Sequence, residues 1–136
     1  ADGREDALGD GDAALEPLQR EVARAERARD DSALVNAIER MLWIWPYDPA
    51  THVKLAEAAS RAGMPGKALR ERRVIIALGP SDLLGARVDL ARALLASGDR
   101  AAARREVLGV LEQAPTYEKA QTLLLELRQP APGGRP

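Results

Sequence analysis

Residues 91–115, ARALLASGDRAAARREVLGVLEQAP, decide the fold because they contain the end of one helix, a turn and the whole of a second helix, which together predict a helical hairpin. Apolar residues recur at helical spacing on both sides of a single break, which predicts two amphipathic helices. At the break, Gly98 accepts the left-handed backbone that ends a helix, and Asp99 caps the next helix. Pro115 ends the second helix. The segment therefore predicts two antiparallel helices joined by a very short turn.

A second copy of this hairpin lies 35 residues earlier, in residues 56–80, AEAASRAGMPGKALRERRVIIALGP. A fixed period of this length is typical of helical repeat proteins. A single ungapped shift aligns nine pairs of identical residues: Val53/Val88, Leu55/Leu90, Ala56/Ala91, Ala58/Ala93, Gly63/Gly98, Ala68/Ala103, Arg70/Arg105, Glu71/Glu106 and Pro80/Pro115.

The rest of the chain also reads as helices, since it shows no sustained alternation of apolar and polar residues. Capping residues predict a first helix at about 16–29, a second from Asp31 or Ser32 to Trp45, and a seventh from Thr116 to about Arg128. We therefore predict an all-α, right-handed helical-hairpin solenoid. Its units lie at about 15–48, 49–82 and 84–117, followed by a C-terminal capping helix at 117–128 that solvates the end of the stack.

The two ends differ in composition from this domain. Residues 1–14 are rich in glycine and acidic residues, which predicts a flexible acidic leader. Residues 129–136, QPAPGGRP, contain prolines and glycines that disfavour helix and strand, which predicts a tail or linker.

The bulk composition excludes several classes of protein. The chain has 136 residues, 46% of them apolar and only 3% aromatic, so its core must be mainly aliphatic. Its formal net charge of −1 gives no field that favours nucleic acid. No apolar run is long enough to cross a membrane, so we expect no direct membrane insertion. The absence of cysteine fits a reducing or an oxidising compartment, so the localisation stays open.

Small residues at the repeat period explain how the helices pack. Alanines such as Ala68 and Ala103 let two helices approach closely. Larger residues fill the seam between units, and Leu90→Ala should cost about 2–5 kcal/mol if Leu90 is buried there. The predicted seam residues are Leu55, Ile75, Leu90 and Val110.

The pattern resembles the tetratricopeptide repeat: a helix with leucine then a small residue, a Gly-Asp turn, a second helix opening with a small residue, and a closing proline. The resemblance implies a concave groove, lined by the first helix of each unit, that holds a peptide or a partner helix. By register the groove residues are Val53, Lys54, Glu57, Arg61, Val88, Asp89, Arg92, Leu95 and Leu123. Family members that clamp chaperone tails use Lys, Asn and Arg there, so Asp89 disfavours that ligand.

Both tryptophans lie in the short stretch MLWIWPYDP, residues 41–49. Helical spacing from Leu34 places Trp45 on the core stripe and Trp43 on the polar face. Trp43 is therefore a possible interface, although cover by neighbouring side chains or by the leader is an equal alternative. Tyr47 is predicted to pack on the next hairpin.

No set of residues predicts catalysis, a metal site or a cofactor. His52 is the only histidine and is expected to be a packing residue at the start of the third helix. The arginine-rich runs at 70–73 and 100–105 are typical of solvated faces, with binding of an anionic surface as the minor alternative. The segment GMPGK, residues 63–67, lacks the length and hydroxyl group of a nucleotide loop.

Three functions fit these observations. The first is a non-catalytic scaffold that binds a protein or peptide in the groove. The second is an accessory segment of a larger bacterial secreted enzyme, such as a peptidase, or of an assembly factor, with Trp43 facing a missing domain; it rests on analogy. The third is a structural repeat that associates with itself.

Overall fold

The computed structural model describes the backbone of residues 3–130 and the side chains of residues 13–130. Most of the predicted tail, residues 131–136, lies outside the described residues. Within the described part the protein is all-α, with seven helices and no strand, as predicted. The helices are α1 (Gly3–Ala28), α2 (Asp31–Ile44), α3 (Pro49–Arg61), α4 (Pro65–Ala77), α5 (Leu83–Ala96), α6 (Arg100–Gln113) and α7 (Glu118–Arg128).

Helix α1 differs from the prediction because it begins at Gly3 rather than near residue 16. Residues 3–14, which the sequence assigned to a flexible leader, continue the helical backbone. Alanine and leucine are strong helix formers, and Ala7, Leu8 and Ala13 lie in this segment. Pro17 lacks an N–H group, so it removes one backbone hydrogen bond, but the helix continues past it.

Four helices have an aspartate at the N-cap, and three of these aspartates cap the helix through the side chain. The side chains of Asp30, Asp82 and Asp99 accept hydrogen bonds from backbone N–H groups three residues later, at 2.9–3.1 Å. Asp99 was predicted in this role, whereas α2 is capped by Asp30 instead of Asp31 or Ser32. At the N-cap of α7, Tyr117 replaces the predicted Thr116. Each difference moves a helix start by only one or two residues.

The two copies of the repeat have the same turn. Gly63 and Gly98 end the first helix of their hairpins with positive φ angles of 73° and 91°. Glycine adopts this left-handed conformation without a steric penalty, which is why the break was recognisable from sequence. The predicted alignment of the two hairpins is therefore confirmed at its turn.

The chain divides into two compact units, Ala1–Ala68 and Leu69–Pro136, with the division inside α4. The core of unit 1 joins α1, α2 and α3, and the predicted stripe of α1 (Leu15, Leu18, Val22, Ala25) is buried as expected. Val22 and Ala25 pack in one cluster with Leu34, Val35, Ala37, Ile38, Leu55, Ala58, Ala59 and Ala68.

Unit 2 has its own core, formed by α5, α6 and α7. Ala91 and Ala103 are fully buried in it, which confirms that small residues stand where helices pack closely. Leu90 is only partly buried against this core, so its removal should cost less than the 2–5 kcal/mol expected of a buried leucine. The buried cluster consists of Val88, Ala91, Leu94, Ala103, Val107, Val110, Ala120 and Leu123.

Candidate functional site

The predicted groove residues on α3 lie where a ligand could reach them. Lys54, Glu57 and Arg61 are exposed, and Val53 is half-buried. Lys54, Glu57 and Arg61 follow one another at three- and four-residue spacing, and Val53 lies four residues before Glu57, so a single face of α3 carries all of them. This face belongs to unit 1.

Two of these basic side chains already have partners within unit 1. Lys54 Nζ lies 2.8 Å from Glu26 Oε1 of α1, and Arg61 Nε lies 2.9 Å from Asp31 Oδ1 of α2. Both pairs are partly exposed, so each contributes little to stability. Their effect is local, since each pair neutralises one basic side chain that was predicted to line the groove.

A cleft of about 360 Å³ opens between α1 and α3 beside the Lys54–Glu26 pair. Apolar side chains and polar side chains both line it, which is the usual composition of a binding site. The helix residues that line it are Gln19, Val22, Ala23 and Glu26 of α1, Ile38 and Met41 of α2, and Ala50, Thr51 and Lys54 of α3; Asp48 lies at the N-cap of α3.

The α1 side of this cleft was not predicted from the sequence. Gln19, Ala23 and Glu26 were not among the predicted groove residues because the first unit does not share the 35-residue pattern. The register of the two clear copies could therefore not be transferred to α1. The available signal was the apolar stripe of α1, because Val22 belongs to both the stripe and the cleft, and Gln19 and Glu26 lie three and four residues from it on the same face.

The predicted groove residues of unit 2 divide into two groups. Val88 and Leu123 are 1% and 0% exposed, so they belong to the core and offer no surface to a ligand. Asp89 and Arg92 are exposed and form ion pairs with Arg72 (3.8 Å) and Glu126 (3.5 Å). Leu95 is half-buried and packs against the core. The repeat register identified the helix face on which these residues lie, but not how deeply each side chain is buried.

The aromatic turn, defined as residues 43–47, holds four of the seven large apolar side chains that are exposed among the described residues. The exposed fractions are 88% for Trp43, 56% for Trp45 and 77% for Tyr47, and Ile44 is 38% exposed. Trp43 is exposed as predicted, but the core position predicted for Trp45 is wrong, and Tyr47 does not pack on the next hairpin. The predicted stripe does not apply to Trp45, because α2 ends at Ile44.

His52 has the structural role that the sequence predicted. It is 6% exposed, and its Nε2 lies 2.6 Å from the backbone oxygen of Pro46. A carbonyl can only accept, so Nε2 carries the proton and donates this hydrogen bond. The contact ties the start of α3 to the aromatic turn.

The arginine-rich runs serve several local roles. Arg72 pairs with Asp89, and Arg100 Nη2 donates to the backbone oxygens of Leu127 (3.1 Å) and Gln129 (2.8 Å) at the end of α7. Arg73 and Arg105 are exposed to solvent. Within the described residues, no group of side chains could hold a metal ion and no helix is long and apolar enough to span a bilayer.

Comparison with solved structures defines the fold. The chain superposes on the TPR domain of P58(IPK) with a TM-score of 0.78 at 19% identity, covering 91% of this chain and 34% of that one. A Thermobaculum terrenum O-GlcNAc transferase mutant gives 0.60 at 24% identity, covering 90% and 24%. The first TPR of Spaghetti (RPAP3), bound to HSP90 peptide SRMEEVD, gives 0.64 at 18% identity, covering 83% and 89%.

The protein therefore has the tetratricopeptide-repeat fold, as the sequence pattern predicted. No family model and no curated protein matches the sequence. The chain spans only about a third of the P58(IPK) structure and a quarter of the transferase. At these identities the likeness concerns the fold alone.

Proposed function

We propose that this chain is a non-catalytic module that binds a protein or peptide segment, and that the cleft between α1 and α3 receives it. The observation that carries the proposal is the cleft itself, about 360 Å³ of open space on the face of unit 1 that α3 shares with α1. A cavity of this size accommodates one or two side chains of a peptide. A neighbouring fold with a bound peptide supports the same class of ligand.

The lining of the cleft indicates which chemical groups the bound peptide should have. Ala23 and Met41, which are both half-buried, give the cleft an apolar part, and methionine adapts its shape to different side chains. Gln19 and Thr51 supply polar groups that can bind the backbone of an extended segment. An apolar side chain inside the cleft and a hydrogen-bonded backbone at its rim fit this surface.

The charges of the cleft disfavour a ligand that is recognised through its carboxylates. Lys54 is neutralised by Glu26, and Asp48 adds a negative charge to the same lining. An acidic peptide such as the one bound to Spaghetti (RPAP3) would have to displace Glu26 and face Asp48. A neutral or basic segment meets no such repulsion, so we propose that class of peptide.

The accessible groove residues of unit 2 form a separate part of the proposal. Asp89, Arg92 and Leu95 remain within reach of a partner, whereas Val88 and Leu123 do not. Because Asp89 and Arg92 are held by ion pairs with moderate exposure, we propose that they set the orientation of a ligand more than its affinity.

Panning a library of random peptides on the full chain tests the cleft. Ala50 lines the cleft, is exposed and is the second residue of α3, so Ala50→Trp fills the space without disturbing the core. We expect peptides enriched on the wild type to lose at least about tenfold in affinity for Ala50→Trp, the loss of one good contact. Affinity is measured by fluorescence anisotropy.

Ala101→Trp is the matched control, since Ala101 is also exposed and also the second residue of its helix, α6. The control should bind the same peptides as tightly as the wild type. Equal binding to both variants, or no enrichment of any peptide, would contradict the cleft as the binding site.

A second candidate is an accessory segment of a larger enzyme. The observation that favours it is the match to a quarter of an O-GlcNAc transferase chain, in which repeats of this fold accompany an enzyme. The test is the reading frame in the genome. A catalytic domain encoded in the same frame supports this candidate, and stop codons directly bordering the segment exclude it.

A further inference from the structure

The aromatic turn exposes a large apolar surface that the proposed cleft does not use. Trp43 and Tyr47 are more than three-quarters exposed, and Trp45 is more than half exposed. Large aromatic side chains on a surface are enriched in interaction hot spots. We propose that the aromatic turn is a two-fold interface through which two copies of this chain associate.

The area of the patch is the first argument for a second copy. An aromatic side chain presents about 150–250 Å² to a partner. At the observed exposures, Trp43, Trp45, Tyr47 and Ile44 offer roughly 600 Å² per copy. If all of this surface is covered, these four residues contribute at most about 1,200 Å² from two copies, the lower limit for a specific interface. Interfaces at this limit are weak, so we expect the dimer to form only at high protein concentration.

The shape of the patch is the second argument. A shallow hollow of about 300 Å³ lies directly beside Trp43 and is lined by Leu42, Trp43, Pro46 and Glu39. A two-fold contact requires a surface that is complementary to itself. A protruding ring next to a hollow meets this requirement, because rotation by 180° can place each Trp43 in the hollow of the other copy.

The charges around the patch are the third argument. Glu39 in the hollow is bound to Lys67 at 2.6 Å, and Arg40 is bound to Glu21 at 2.8 Å. Each charge therefore enters the contact with a partner of its own, so burial leaves no unpaired ion. A strongly acidic or basic partner would find no excess charge here, whereas a second copy brings an equally balanced surface.

The turn is also held in place before any contact forms. Trp45 N–H donates to Met41 O at 2.9 Å, and His52 Nε2 donates to Pro46 O at 2.6 Å. A prearranged turn loses little conformational entropy on association. The exposed rings are thus presented by a fixed backbone.

Sedimentation velocity of the full chain, from about 1 µM to about 1 mM, tests the proposal. We expect a monomer–dimer equilibrium in the wild type. Trp43→Ala should weaken it at least about 30-fold, the loss of one hot-spot residue, and more because the substitution occurs twice in the dimer. Trp43→Phe, which keeps a ring, should retain most of the association.

Leu125→Ala is the control, because Leu125 is a large apolar side chain, 60% exposed, outside the patch. Its equilibrium should equal that of the wild type. Both tryptophans of the chain lie in the patch, so their emission should shift to the blue as the wild type associates. Circular dichroism of each variant shows that the fold is retained, as expected for substitutions at exposed positions.

The results separate this interface from the cleft. Ala50→Trp should still dimerise, and Trp43→Ala should still bind the peptides selected on the wild type. A wild type that stays monomeric at the highest concentration overturns the proposal, and the patch then belongs to a different protein or to another domain. A dimer that Trp43→Ala leaves intact overturns it as well.

Discussion

At the scale of single residues, the backbone at Gly98 sets the turn between α5 and α6. Its φ of 91° is strained for any residue with a Cβ atom, although no neighbouring atom would obstruct that Cβ. We expect Gly98→Ala to lower the free energy of unfolding by about 1 kcal/mol. Urea denaturation followed by circular dichroism measures this loss.

Gly66 supplies the control for that substitution. It lies inside the first turn of α4 without a positive φ, and a Cβ there would also meet open space. Gly66→Ala should therefore leave stability unchanged or raise it by up to about 1 kcal/mol. If both alanines have the same effect, backbone conformation is not what Gly98 contributes.

Trp45 shows why some residues could not be placed from sequence. Helical spacing predicts a side chain correctly only while the helix lasts, as it does for Val35 and Ile38, which are 2% and 1% exposed. Trp45 directly precedes Pro46, and a residue before proline is forced out of the helical region. Its φ and ψ of −134° and 74° turn the ring away from the core stripe. The cap of α6 by Asp99 was predictable, because it depends on the local chemistry of the turn and not on helical spacing.

At the scale of elements, close approach of α5 and α6 depends on small residues between them. Ala103 is 0% exposed and belongs to the core of unit 2. Ala103→Leu adds atoms for which the hairpin has no space, so we expect a loss of about 1–3 kcal/mol in the free energy of unfolding. Urea denaturation of the full chain provides the measurement.

Ala101 is again the appropriate comparison, since it is exposed two residues earlier on the same helix. Ala101→Leu should change stability by no more than about 0.5 kcal/mol. Equal effects of the two leucines would mean that the predicted register of the repeat does not describe the packing of α6.

The elements also show where a repeat helps prediction and where it does not. The two clear copies of the repeat made α3 to α6 predictable, because glycines, prolines and small residues recur at one period. The start of α1 and the α1 side of the cleft had no copy to compare with. The repeat pattern also could not predict how deeply each side chain is buried. Val88 and Asp89 are adjacent in sequence, yet Val88 is 1% exposed and Asp89 is more than a third exposed.

At the scale of the whole molecule, stability comes from the two apolar cores and not from the many surface ion pairs. Pairs such as Arg40–Glu21 and Arg92–Glu126 have exposed fractions of 40–51%, where water and salt screen their attraction. Raising NaCl to about 1 M should therefore change the free energy of unfolding by less than about 1 kcal/mol. Thermal melts at several salt concentrations test this expectation.

Removal of core atoms should have a much larger effect. Leu123 is 0% exposed in the core of unit 2, so Leu123→Ala should cost about 2–5 kcal/mol by leaving a cavity. A salt effect as large as the effect of this substitution would show that electrostatics, rather than packing, holds the fold together.

The placement of both tryptophans in unit 1 has a practical consequence for anyone who studies this protein by optical methods. From Leu69 onward the chain contains a single aromatic residue, Tyr117, so indole signals are blind to that half. An unfolding curve recorded through tryptophan alone describes the neighbourhood of one turn. Amide absorption in the far ultraviolet, to which all seven helices contribute, is the signal that follows the entire chain.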